Sequence, residues 1–136
     1  MEFKVSAKRV DSHGSTAFCK DASIILDTDL AGRNDAFNPA ELLLGALSAC
    51  MIKNIERVTP MLKMDIKGVE VTITAKRQES PPKLIDISYR LVVDSDEPDH
   101  RLNLLHENIR KYGTVFNTLV AGTEIQGELV RAETLS

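Results

Sequence analysis

Phe37-Asn38-Pro39-Ala40-Glu41-Leu42-Leu43-Leu44-Gly45-Ala46-Leu47-Ser48-Ala49-Cys50 is the stretch on which the reading of this chain turns. Asn38 suits a helix N-cap, because its side-chain oxygen accepts a backbone N–H of the first turn. Pro39 follows where no donor is needed. Glu41 falls three residues after Asn38, the position from which a carboxylate reaches back to the cap's own N–H. A helix is therefore predicted to begin here. From Leu42 to Ile52 the chain is apolar nearly all round, broken by Ser48, so this stretch should be buried on most faces. Lys53, Asn54, Glu56 and Arg57 should carry the far end into solvent, and Thr59-Pro60 should end it.

Upstream of the helix, Phe3, Val5 and Ala7 alternate with Lys4, Ser6 and Lys8, the period of a half-buried strand. Asp11-Ser12-His13-Gly14 is a turn cluster, Thr16 to Cys19 reads as the return strand, and Ser23 to Leu26 as a third. Thr28 to Phe37 has no apolar period and reads as a loop. Downstream, Val69 to Ala75 and Ile85 to Val93 alternate strongly around a turn at Glu79-Ser80-Pro81-Pro82. An acidic loop, Asp94 to Asp99, leads to a helix carrying Leu102, Leu105 and Ile109 on one face. Tyr112-Gly113 breaks it, Val115 to Val120 is a short helix, and Ile125 to Val130 a last strand. Strands in adjacent pairs predict largely antiparallel sheets and an α+β class.

The 136 residues fit a single domain, 1–136, and 43% hydrophobic with 27% charged residues argues against disorder. A helix apolar on all sides is hard for so small a monomer to cover, so a two-fold homodimer is expected. Net charge is -3 and the basic residues are scattered, which does not suit a nucleic-acid partner. No apolar run is long enough to span a bilayer, and Met1-Glu2-Phe3-Lys4-Val5 does not open a signal peptide, so a cytoplasmic protein is expected.

The chemistry-bearing residues are few. His13, His100 and His106 have no metal-ligand spacing with each other or with the cysteines, and no metal site is expected. His100 and His106 read as solvated side chains flanking a helix. The glycines form no phosphate-binding pattern, so no nucleotide cofactor is implied. Gly45-Ala46-Leu47-Ser48 lacks the nucleophile-elbow pattern. That leaves Cys19 and Cys50, too few for a disulfide scaffold. Cys50 sits about three turns into the capped helix. To react it needs an opening and a nearby cation or hydrogen-bond donor.

The stretch from Phe37 to Cys50 resembles the signature of the OsmC/Ohr family, the osmotically inducible protein C and organic hydroperoxide resistance proteins. The order of elements along essentially the whole chain is similar as well. The resemblance implies an OsmC-like fold: an intertwined homodimer, antiparallel sheets around long central helices, and an apolar active site at the interface. It implies a peroxidatic cysteine at Cys50 that reduces an organic hydroperoxide. It also implies a second, resolving cysteine, an Arg and a Glu. Gly113 stands where the resolving cysteine belongs. Ala40 stands where the family Glu belongs, with Glu41 one place later and explained by its capping role. Arg33, the one arginine in the loop before the helix, is the candidate cation. Cys19 does not hold the resolving position and reads as a buried strand residue.

Two functions stay open on these residues. One is a thiol-dependent hydroperoxide reductase using Cys50 and Arg33, regenerated by an external thiol reductant. The other is a non-catalytic binder of a small apolar or acyl-bearing ligand along Leu43, Leu47 and Met51.

Overall fold

A computed structural model of the protein describes residues 1–133. Its elements run β1 (Ser6–Asp11), β2 (Gly14–Cys19), β3 (Ala22–Leu26), α1 (Pro39–Leu62), β4 (Gly68–Glu79), β5 (Pro82–Asp94), α2 (Asp99–Tyr112), α3 (Thr114–Val120) and β6 (Ile125–Arg131). Contacts divide the chain into two compact units, Met1–Leu43 and the part from Leu44 onward.

The first unit is a three-stranded antiparallel meander, β1-β2-β3, with Ser12 and His13 forming the first turn. The edge strands gain little burial, and Val10, Phe18, Ile24 and Ile25 stay exposed. The alternation around Phe3 and Val5 does not become a strand. β1 starts only at Ser6, and Phe3 keeps 79% of its surface exposed. An apolar period records what a segment could bury, and here nothing in the unit covers it. The loop after β3 is organised by Asp27, whose carboxylate accepts the backbone N–H groups of Asp29 and Arg33 at 3.1 Å each.

α1 opens as its sequence dictates. The Asn38 side chain accepts from the Glu41 N–H at 2.8 Å, and the Glu41 carboxylate accepts from the Asn38 N–H at 3.0 Å. This reciprocal pair satisfies two donors that a helix start otherwise leaves open. One expectation for the rest of the helix fails. The helix does not stop at Thr59-Pro60 but runs through Pro60 to Leu62. The following residue, Lys63, takes a left-handed backbone at φ 53°. The N–H of Lys63 then bonds the Pro60 carbonyl at 3.3 Å, and that of Met64 bonds the Thr59 carbonyl at 2.9 Å. That paired closure is the Schellman arrangement. Within a single chain the helix is buried along one side. One stripe is buried, Leu47, Met51, Asn54, Ile55 and Val58, while Leu43 and Ile52 remain exposed. The buried stripe is the one that joins the core of the second unit.

In the second unit β4 and β5 pair antiparallel, and β6 pairs with β5 in parallel. That last pairing departs from the antiparallel expectation. α2 and α3 lie between β5 and β6 in the chain, and a connection of that length lets β6 run in the same direction as β5. β5 is the central strand, and Ile87, Tyr89, Leu91 and Val93 alternate inward while Ser88 and Arg90 point out. They share a core with Leu47, Met51, Ile55 and Val58 of α1 and Leu102, Leu105 and Ile109 of α2. Each fully buried aliphatic side chain here contributes roughly 1.5–3 kcal/mol from removal of apolar surface from water.

Candidate functional site

Cys50 lies on α1 one turn before Asn54, half-buried and in no disulfide. Sequence reasoning placed Asn54 in solvent; it is only 3% exposed. The helical period explains the correction, because position 54 falls in phase with Leu47, Met51 and Val58. The Asn54 Nδ2 lies 3.8 Å from the Cys50 Sγ and donates toward it. The Asn54 Oδ1 is buried without a hydrogen-bond partner.

Gly113, at the junction of α2 and α3, closes on the same place. A Cβ built there would stand 3.1 Å from Cys50 Sγ, 3.0 Å from Asn54 Nδ2 and 3.0 Å from the Phe116 Cβ. Its backbone, φ -73° and ψ 117°, is open to any residue, so glycine serves here by its size. Position 113, where the family resemblance implies a resolving cysteine, therefore faces the Cys50 sulfur.

The other candidates each have contacts of their own. The guanidinium of Arg33 donates from Nε to Asp35 at 2.6 Å and from Nη2 to the second oxygen at 2.8 Å. The pair holds the Asp35 carboxyl below its usual value and the guanidinium above its own. Arg33 also donates to the His13 carbonyl at 3.4 Å. The His13 ring meets Asp29 at 2.7 Å and lowers that carboxyl. Leu47 and Met51 are fully buried in the core, while Leu43 is 39% exposed. Cys19 ends β2 opposite Ala22 and is half-buried, not enclosed. Among the described residues no group of three His, Cys, Asp or Glu side chains could hold a metal ion.

A second polar cluster went unread in the sequence. His106, expected in solvent, is partly buried with its Nε2 2.6 Å from the Tyr89 hydroxyl. Arg110 donates to the same hydroxyl at 2.8 Å and to the Ile125 carbonyl at 3.2 Å. The phenol oxygen accepts from Arg110 and shares one proton with Nε2, the donor of that pair being set by the imidazole tautomer. Burial, then the Arg110 charge, push the His106 pKa down. The Arg110 guanidinium also lies over the Phe116 ring, 4.8 Å from its centroid. Helical spacing alone puts His106 and Arg110 on one face, but only the fold supplies Tyr89.

The family model described as OsmC-like protein matches residues 32–128. The chain belongs to the OsmC-like family. Among solved structures, an OsmC-like protein from Mycoplasma pneumoniae superposes with a TM-score of 0.87 at 19% identity, covering 98% of this chain and 99% of that one. An OsmC-like protein of unknown function from Vibrio cholerae gives 0.79 at 13%, covering 95% and 99%. The organic hydroperoxide resistance protein of Bacillus subtilis gives 0.66 at 18%, covering 95% and 98%. No curated protein matches significantly. The α+β class and the OsmC-like fold expected from the sequence are thus established. Among the described residues no helix is long and apolar enough to cross a membrane.

Proposed function

We propose that this OsmC-like protein reduces organic hydroperoxides through Cys50, as a homodimer, with an external thiol as reductant. The observation that carries the reading is the half-buried Cys50, whose sulfur a Cβ built at position 113 would meet at 3.1 Å. It matches the arrangement implied for a peroxidatic cysteine, and structural neighbours include organic hydroperoxide resistance proteins.

The Cys50 thiolate attacks the distal oxygen of the hydroperoxide. The O–O bond breaks, the alcohol leaves with a proton, and Cys50 becomes a sulfenic acid. Position 113 is glycine and offers no second sulfur. An external thiol therefore condenses with the sulfenic acid, releasing water and leaving a mixed disulfide. A second thiol attacks that disulfide, restores Cys50 and departs as the oxidised reductant. The need for an outside thiol suits the reducing cytoplasm. Arg33 is the cation that the family resemblance implies, and within the first unit its guanidinium pairs with Asp35. The homodimer is supported by the exposed apolar residues Phe18, Ile24 and Ile25 of the first unit and Leu43 and Ile52 of α1.

The test is turnover of cumene hydroperoxide with excess dithiothreitol, beside Cys50→Ser and Cys19→Ser variants. Activity should vanish in Cys50→Ser and persist in Cys19→Ser. Wild-type turnover no higher than that of Cys50→Ser overturns the enzyme reading and favours the ligand-binding one along α1 at Leu43.

A further inference from the structure

We infer that Asn54 is a further catalytic residue, whose buried side-chain amide donates to the Cys50 sulfur and favours its reactive, ionised form. The inference rests on Cys50 being the working thiol, and it adds a group that the family resemblance does not supply.

The buried stripe of α1 is otherwise apolar, with Leu47, Met51, Ile55 and Val58 around Asn54. An apolar side chain at position 54 would complete that stripe. Asn54 instead brings a carboxamide into a 3% exposed site and leaves its Oδ1 without a partner. A half-satisfied amide in such a place works against stability, because its desolvation is not repaid by hydrogen bonds. Its polar contact is the Cys50 sulfur, 3.8 Å from Nδ2. A neutral thiol is a poor acceptor and a thiolate a good one, so an N–H aimed at sulfur stabilises the ionised state over the neutral one.

The surroundings hold the amide in that position. Asn54 stands one helical turn beyond Cys50, the spacing at which two side chains on a helix meet. The missing side chain at Gly113 admits it, since a Cβ there would come within 3.0 Å of Nδ2 and 3.1 Å of Sγ. The glycine that replaces a resolving cysteine thus makes room for a donor to the peroxidatic one.

The test measures the reactivity of the Cys50 thiol and is independent of any peroxide. In a Cys19→Ser background, the rate of alkylation by iodoacetamide is followed from pH 6 to 10 for Asn54, Asn54→Leu and Asn54→Ala. Melting temperatures are taken alongside. A long, charge-assisted hydrogen bond sits at the low end of its class, so alkylation at pH 7 should slow about tenfold in both variants. The rate should recover at the alkaline end, and Asn54→Leu should melt no lower than the parent. Rates within twofold of the parent at pH 7 in a folded variant overturn the inference. A loss of rate equal at every pH also overturns it, because that reports blocked access and not ionisation. If Asn54→Leu fails to fold, Asn54→Ala decides. A parent that turns over no hydroperoxide but shows the shifted alkylation profile upholds the donation of Asn54 to the Cys50 sulfur, while the peroxidase reading and with it the catalytic use of Asn54 fall.

Discussion

Gly113→Cys places a second sulfur opposite Cys50, and the geometry sets both the sign and the size of the effect. In a disulfide each Cβ lies roughly 3 Å from the far sulfur. The Cβ position at residue 113 is 3.1 Å from Cys50 Sγ, so a bond closes with little movement of the backbone. In the reduced state the same Cβ is crowded, at 3.0 Å from both Asn54 Nδ2 and Phe116 Cβ. Overpacking of that kind costs roughly 1–3 kcal/mol. Oxidation replaces the repulsion between Cβ and Sγ by a bond and closes a loop of about 60 residues, worth roughly 4 kcal/mol in chain entropy. The reduced variant should therefore melt below the parent. Its oxidised form should melt roughly 10–20 °C above its reduced form, given the usual dependence of melting temperature on stability. Thermal melts with and without dithiothreitol give that difference. Titration with a thiol reagent gives an independent count: the two native thiols and the introduced one should fall to a single free thiol after mild oxidation. A folded variant that retains all its thiols after oxidation would refute the geometry and the assignment of position 113 to the resolving place. Success would also predict hydroperoxide turnover less prone to loss by overoxidation, since the sulfenic acid gains a nearby thiol to condense with.

Two further outcomes test the packing around Tyr89. Gly127 pairs with Tyr89 across β5 and β6, and a Cβ there would enter the Tyr89 ring at Cδ1, Cε1 and Cδ2. The ring is tethered through its hydroxyl to His106 and Arg110, so Gly127→Ala should cost about 3 kcal/mol. Denaturant melts check this, and a loss below about 1 kcal/mol would mean the tether does not hold the ring. The lowered His106 pKa has a definite sign: the unfolded imidazole takes a proton before the folded one does. Its contribution to stability is whole above about pH 6.5 and is lost as pH falls through the lowered folded value. Urea midpoints should fall more steeply below pH 6.5 in the parent than in His106→Gln, and parallel curves would contradict a His106 pKa lowered in the folded state.

Much of the fold was legible because its signals are local. The Asn38–Glu41 box, the alternation in β4 and β5, and the Leu102, Leu105 and Ile109 face depend on residues within a turn or two of each other. Each error came from a feature that the local residue pattern does not announce. Pro60 was read as a stop because its missing N–H is a local fact, while the left-handed Lys63 that closes the helix carries no glycine to announce it. The parallel run of β6 is set by the route of α2 and α3, not by any pattern within β6.

The candidate site divides along the same line. The sequence by itself determined the capped helix, the place of Cys50 on it and the lack of a cysteine at position 113, since these follow from residue identity and short spacings. It misplaced Asn54 and His106, because polarity alone puts both in water. Only the tertiary structure decided that Asn54 is buried against the Cys50 sulfur, that Gly113 faces the same atom, and that Tyr89 meets His106 and Arg110. The Gly113 and Tyr89 contacts join residues from different elements, and the burial of Asn54 depends on what packs against α1; both are fixed by the packing of the whole core.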